Sequence, residues 1–349
     1  IRDSTHLRLG ASVLVALLCA TLVALWPASA LADDDRPQLR VMTRNLYLGA
    51  DLMAVAGAPL PEIPQAAADA WATVQATDFP TRSRAIAREV AQTRPALIGL
   101  QEVALWQTRP LTGGPADVAY DFLQILLDRL AARGLAYEVV VEQPTFDFEV
   151  PTAFGYYIRL TQRNVILARA DLPPGKFRLS NPQHALFNEN NVYPAPDGSE
   201  IVDWRGWTSV DVKFHGRRFR FINTHLESFD QPIREIQAQE LVAGPLAGPM
   251  HKVVVGDLND VPTSDTLKTL RRSGLRDVWA VTRRGPGYTY GQDPELLNMP
   301  SELYQRIDYV LASRGIDPLW ARRVGHRPID RIAGLWPSDH AGVVATLRP

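Results

Sequence analysis

The chain has 349 residues, 37 Lys and Arg against 38 Asp and Glu, 46% hydrophobic residues and a single Cys. That hydrophobic fraction supports a sizeable core and excludes disorder, collagen and coiled coil as the main architecture. A net charge of -1 argues against a strongly basic nucleic-acid coat, and one Cys excludes a disulfide framework or a Cys-based zinc cluster.

Arg2 and Arg8 precede a charge-free run from Leu9 to Leu25, which Pro27 breaks. Ala28-Ser29-Ala30 then offers the small residues a signal peptidase reads, and Ala30-Leu31-Ala32 fits almost as well. The run is short for a membrane span and leads into Asp33-Asp34-Asp35. Residues 1–30 are therefore read as a cleavable export signal, with cleavage after Ala30 or Ala32, and residues 31–349 as a single secreted domain. Cys19 leaves with that signal, and the remainder carries 35 bases against 37 acids.

Along the remaining chain, residues 39–46 read as a strand entering a loop. Residues 82–93 read as a helix stopped at Arg94-Pro95, and 96–100 as a buried strand with Gln101-Glu102 at its end. Residues 117–133 carry Phe122, Ile125, Leu126 and Leu130 on one helical face and stop at Gly134. Strands follow at 137–141 and 164–168. Residues 206–214 and 217–223 flank His215-Gly216 as a hairpin. A helix near 232–241, a buried strand at 252–256, a helix at 264–273 and strands at 307–312 and 342–347 complete the pattern. Residues 105–116 and 171–204 read as long surface loops. Apolar strands mixed with amphipathic helices predict sheets covered by helices.

The acids fall where water should be scarce. Glu102 and Asp257 end apolar strands, Asp308 lies inside Ile307-Asp308-Tyr309-Val310, and Asp339-His340 precede the last strand. Asn45 and His225 occupy equivalent strand ends. A carboxylate among core residues is costly unless it is paired or holds a cation. The set predicts a shared cleft for a hard divalent metal, with Mg²⁺ favoured and Mn²⁺ or Ca²⁺ also compatible with oxygen ligands. Taken singly, Glu102 reads equally as a cap, Asp257 as part of a turn, and each histidine as a satisfied core residue.

The segments Thr43-Arg44-Asn45, Gln101-Glu102, Asn223-Thr224-His225, Gly256-Asp257-Leu258-Asn259, Arg306-Ile307-Asp308 and Ser338-Asp339-His340 resemble, in order, those of the endonuclease/exonuclease/phosphatase superfamily. The resemblance implies a four-layer α/β sandwich, two mixed β-sheets packed face to face with helices outside. It implies Glu102 as main metal ligand helped by Asn45, with Asp339 beside the metal. It implies Asp257 activating water, Asn259 holding phosphate, and an Asp308–His340 pair contacting phosphate or water. His225 would face the scissile phosphate or the leaving group, where its protonated form could stabilise the charge on the leaving oxygen, and Asn164 would contact phosphate. Tyr47 stands where the abasic-site nucleases usually carry an acid, and His225 looks more like the secreted DNase, sphingomyelinase and inositol-phosphatase branches.

The expected activity is metal-dependent hydrolysis of a phosphodiester, small or lipid-like, by direct water attack. A DNase-like endonuclease is the alternative and a non-catalytic binding protein on the same fold the second. The phosphate-ester substrate is the expected partner, with no obligate protein partner inferred. Nucleic acid is disfavoured by the charge balance. A transient membrane-surface contact would use Trp204 and Trp207 or Leu105-Trp106.

Overall fold

Strand β1 (Leu39–Asn45) buries Val41 in one hydrophobic cluster and Met42 in another, because successive strand residues point to opposite faces. Leu97 and Ile98 of β2 (Leu97–Gln101) divide between the same two clusters. Strands that are apolar on both faces need a layer on each side, which here means a second sheet on one and helices on the other. The computed structural model describes residues 36–194, 200–283 and 285–349, so the segment expected to be an export signal, with Cys19, lies outside the described residues.

After β1 come α1 (Met53–Ala56), α2 (Ile63–Ala76) and α3 (Phe79–Thr93). β2, β3 (Leu105–Pro110), β4 (Asp117–Asp121), α4 (Phe122–Ala131) and the long hairpin of β5 (Tyr137–Pro151) and β6 (Tyr156–Arg169) follow. Next are β7 (Phe177–Leu186), β8 (Asn191–Pro194), β9 (Glu200–Asp203), β10 (Gly206–Phe214) and β11 (Arg217–His225). The chain continues through α5 (Gln231–Ala243), β12 (His251–Asp257), α6 (Asp265–Arg272), β13 (Leu275–Asp277) and α7 (Val278–Thr282). It closes with β14 (Asp308–Ser313), β15 (Asp317–Val324) and β16 (Gly342–Arg348).

One sheet runs β15-β16-β1-β2-β6-β3-β4 with β5 on the other edge of β6; the second runs β13-β14-β12-β11-β10-β7. Both are mixed, since β1 pairs β2 in parallel and β11 pairs β12 in parallel while their neighbours are antiparallel. Val41, Leu97 and Ile166 of the first sheet meet Val210, Phe221, Val253 and Val255 of the second. Outside, Ile86, Val90, Leu126 and Leu130 cover Met42, Ile98 and Val165. On the far side Ala238, Leu241, Leu267 and Leu270 cover Ile222, Val254 and Leu311. This is the four-layer sandwich.

Gly99 marks how closely the sheets approach. A Cβ there would lie 2.4 Å from Val255 Cγ2 and 2.6 Å from Asn223 Oδ1. Asn223 crosses the gap, donating through Nδ2 to the carbonyls of Leu100 (3.0 Å) and Val165 (3.2 Å) and accepting from Gln101 Nε2 (2.6 Å). A buried amide carried by one sheet and satisfied entirely by the other fixes their relative register near one end of the sandwich.

The structure corrects several sequence readings. Residues 117–121 form β4 rather than the first turns of a helix. Asp121 caps α4 instead, its carboxylate accepting the Leu123 N–H at 3.1 Å. The expected loops contain β3 in one case and β7, β8 and β9 in the other, polar strands whose pairing depends on distant neighbours. Helix α2 and strand β15 carry no strong periodic signal, and the 137–141 and 164–168 strands extend to 15 and 14 residues. The hairpin is as predicted, with His215 (φ 47°) and Gly216 (φ 87°) forming its two-residue left-handed turn.

Candidate active site

Topology brings the predicted residues to one end. In the parallel β1–β2 pair Asn45 lies beside Gln101, and in the parallel β11–β12 pair His225 lies beside Asp257. Antiparallel β14 begins at Asp308, opposite Asp257, and β16 begins just after His340. Carboxyl ends of two parallel pairs, one per sheet, therefore open onto the same cleft. The loops leaving these strands hold Tyr47 (φ 61°), Glu102 (φ 53°) and Asn259 (φ 49°) in the left-handed region, where a non-glycine residue costs about 1–3 kcal/mol. Three of the nine left-handed non-glycine residues among the described residues therefore sit where the side chains converge.

Glu102, Asp257 and His340 bring their ligand atoms within 4.8 Å of one another. Asn45 Nδ2 donates to Glu102 Oε1 at 2.9 Å and to Asp257 Oδ2 at 3.0 Å, while the Leu48 N–H donates to Glu102 Oε2 at 2.9 Å. Asp257 Oδ1 accepts the Asn259 N–H at 3.0 Å. Burial, reinforced by the charge of Asp308, pushes the Asp257 carboxyl up to about 7. Asp339, whose Oδ1 accepts from Ser338 Oγ at 3.2 Å, is pushed up to about 6, chiefly by burial with Glu102 adding.

His340 Nδ1 is 2.8 Å from Asp308 Oδ2, leaving Nε2 facing Asp257 Oδ2 at 3.6 Å. Burial works against the charged imidazole, but Asp308, Asp339 and Asp257 together hold it well above its ordinary value. Asp308 Oδ1 is buried with no hydrogen-bond partner. The carboxylate is thus aimed at the imidazole, as the sequence reading expected of the pair.

Three expectations change. His225 is not set up to be protonated. Its ring nitrogens face two donors, Gln162 Nε2 and Arg205 Nη1, each at 3.2 Å. Burial and the Arg205 guanidinium push it well below its ordinary value. Asn45 turns its Oδ1 to the Tyr47 N–H (2.9 Å) and its amide nitrogen to the acids, so it orients carboxylates rather than presenting an oxygen to a cation. Asn164 is fully buried, donating to the Gly206 carbonyl at 3.1 Å; Gln162, two residues earlier, reaches the cleft instead. Asn259 lines the cleft, with its side-chain amide donating to the Leu226 carbonyl at 2.9 Å.

Sequence reading gave the supports no role in the site. Arg205 is buried, donating to Asp203 Oδ2 (2.7 Å) and Ser228 Oγ (2.9 Å) while bracing His225. Its signal was its position before Gly206, which pairs with His225 across β10–β11. Arg44 Nη1 donates to the His340 carbonyl at 2.6 Å and its Nε faces Glu89 Oε2 at 3.1 Å. Fully buried Arg82 donates to the carbonyls of Leu46, Thr77 and Pro337. The cleft has a volume of about 790 Å³.

The donor set fits a hard cation. Glu102, Asp257 and His340 converge with Asp339 beside His340, and burial, with Asp308 acting on Asp257 and Glu102 on Asp339, raises both aspartates, a cost that a divalent charge would relieve.

The chain belongs to the endonuclease/exonuclease/phosphatase family, whose model matches residues 73–340, a span that ends on His340 and holds every predicted site residue but Asn45. Among solved structures it is similar to an endonuclease/exonuclease/phosphatase from Bacteroides vulgatus, with 18% identity, TM-score 0.56, and 89% of this chain and 99% of that one covered. A mannosyl-6-phosphatase from Bacteroides thetaiotaomicron is 17% identical, with TM-score 0.55 over 88% of this chain and 99% of that one. D. rerio TDP2 complexed with a single strand DNA product is 16% identical, with TM-score 0.54 over 89% and 99%. At these identities the likeness establishes the fold. No curated protein matches the sequence.

Proposed function

We propose that this chain is an exported, divalent-metal-dependent phosphoesterase that cleaves a P–O bond by direct attack of water. The observation that carries the reading is the convergence of Glu102, Asp257 and His340 at the cleft floor, with His340 clamped by Asp308. Glu102 and Asp339 would hold the cation, Mg²⁺ by preference, and when bound it would supply a positive charge to offset that of the phosphate.

Asp257, fixed by Asn45 and the Asn259 N–H, takes the proton of the attacking water. His340, kept cationic by Asp308, donates from Nε2 to a phosphoryl oxygen where negative charge develops. Neutral His225, braced by Arg205, lines the opposite side and orients the ester. A long nucleic acid suits the cleft poorly. Among the described residues lining it, Arg205 is the sole Arg or Lys, and it is committed to Asp203.

The test is a panel of plasmid DNA, RNA, sphingomyelin, phosphatidylinositol, inositol phosphates and an artificial diester, each with Mg²⁺ and with EDTA on residues 31–349. At least one ester is expected to turn over with Mg²⁺ and to stop with EDTA. Metal-independent turnover, or none on any substrate, overturns the reading in favour of different chemistry or a binding protein. Export rests on residues 1–30 alone. N-terminal sequencing of protein recovered from the medium is expected to start at Leu31 or Asp33.

A further inference from the structure

The cleft has two unlike ends. Away from the acids its wall is apolar, built by Leu52, Met53, Leu60 and Ile63 around α1 and the start of α2, and by Phe146 and Phe148 of β5. The two phenyl rings stack with centroids 6.0 Å apart. Met53 is 42% exposed and Leu60 59% exposed at the mouth, an open apolar surface continuous with the polar floor.

Polar groups on this wall are already satisfied. Asp51 Oδ1 accepts the Met53 N–H at 2.8 Å, and the Glu149 carboxylate is paired with Arg109. The wall is also held together, since the Ala153 N–H at the hairpin tip donates to the Pro64 carbonyl at 2.8 Å. A preformed apolar surface whose two acids already have partners, one in the backbone and one in Arg109, offers little to a sugar or a second phosphate, and much to hydrocarbon.

We infer that this wall is a subsite for an alkyl chain carried by the phosphoester, so that the substrate is an amphiphile with its phosphate at Asp257 and His340 and its hydrocarbon on Phe146 and Phe148. The inference rests on the phosphoesterase reading and narrows it to a substrate class.

The test is a series of 4-nitrophenyl phosphodiesters bearing methyl, butyl or octyl, assayed with Mg²⁺ below their micellar concentrations. Full burial of a methylene is worth up to about fourfold in kcat/KM. A rise of about tenfold or more from methyl to butyl is expected in the native protein. Leu60→Glu alone, and together with Met53→Glu, is expected to lower the butyl-to-methyl ratio; Leu60 is the more exposed of the two, and thermal unfolding of both variants checks that the fold is kept. Hydrolysis of all three esters at equal kcat/KM, or a ratio unchanged in both variants, overturns the subsite and leaves the phosphoesterase standing. Hydrolysis of none of them, alongside a silent substrate panel, overturns the phosphoesterase reading and the subsite with it.

Discussion

Asp257→Asn is expected to lower kcat/KM by about 10³-fold or more, within the range that a positioned general base supplies. The carboxylate is the group facing His340 and His225 at once, 3.6 Å from each Nε2, and its other oxygen is fixed by the Asn259 N–H. An amide at this position cannot take a proton from water. The fold should survive. The new amide nitrogen opposes the donor of Asn45, a cost of about 1–3 kcal/mol, but the change also removes a buried charge beside Asp308. Steady-state kinetics on whichever ester the native protein hydrolyses, together with thermal unfolding, separate the two effects. Retention of more than a tenth of native kcat/KM in a well-folded variant would remove Asp257 from the role of base.

Much of this site was legible because burial makes acids conspicuous. Asp308 between Ile307 and Tyr309 needs a partner, and the structure supplies His340 from 32 residues away. Glu102 and Asp257 are legible as strand-end acids for the same reason. What the sequence does not display is which way each side chain turns. Asn45 turns its amide nitrogen rather than its oxygen to the acids, because the Tyr47 N–H claims the oxygen. The charge of His225 depends on Arg205 and Gln162, which reach it from β10's threshold and from the other sheet.

The apolar wall was hidden for a related reason. β5 and β6 carry alternating polar residues from 142 to 163, so their length depends on mutual pairing rather than on a continuous hydrophobic run. Fold class survives such gaps because the buried core strands β1, β2, β11 and β12 are apolar on both faces and already dictate four layers. Site electrostatics are set by contacts between chain segments far apart, and no local pattern announces them.

The largest stability effect is expected at a residue of that hidden kind. Arg82 sits on α3, fully buried, where its Nε donates to the Thr77 carbonyl at 2.6 Å and its Nη1 to those of Leu46 (3.0 Å) and Pro337 (2.8 Å). Phe79 lies under the guanidinium at 5.1 Å and Tyr47 at 5.7 Å. Burial lowers it to about 10, so at neutral pH it stays charged and keeps all its donors. The Leu46 carbonyl belongs to the loop that follows Asn45 and the Pro337 carbonyl to the loop that delivers Asp339 and His340, while Thr77 lies in the turn just before α3. One side chain therefore ties the two halves of the site to the helix behind them.

Arg82→Met keeps much of the volume and removes every donor, stranding the carbonyls of Leu46, Thr77 and Pro337 and losing the longer contact to that of Tyr47. Each such group costs about 1–3 kcal/mol, and allowing for relaxation a net loss of about 3 kcal/mol or more is expected. At about 2 °C per kcal/mol for a domain of this size, Tm falls by about 6 °C or more by calorimetry. Because both loops loosen together, kcat/KM is expected to fall by about tenfold or more at temperatures where the variant is folded. Arg82→Lys restores a charge and one or two donors but not the planar fork, so it should recover part of the Tm and less of the activity. A methionine variant within about 1 kcal/mol of the native protein, with kcat/KM intact, would show that the loops hold their places without this guanidinium.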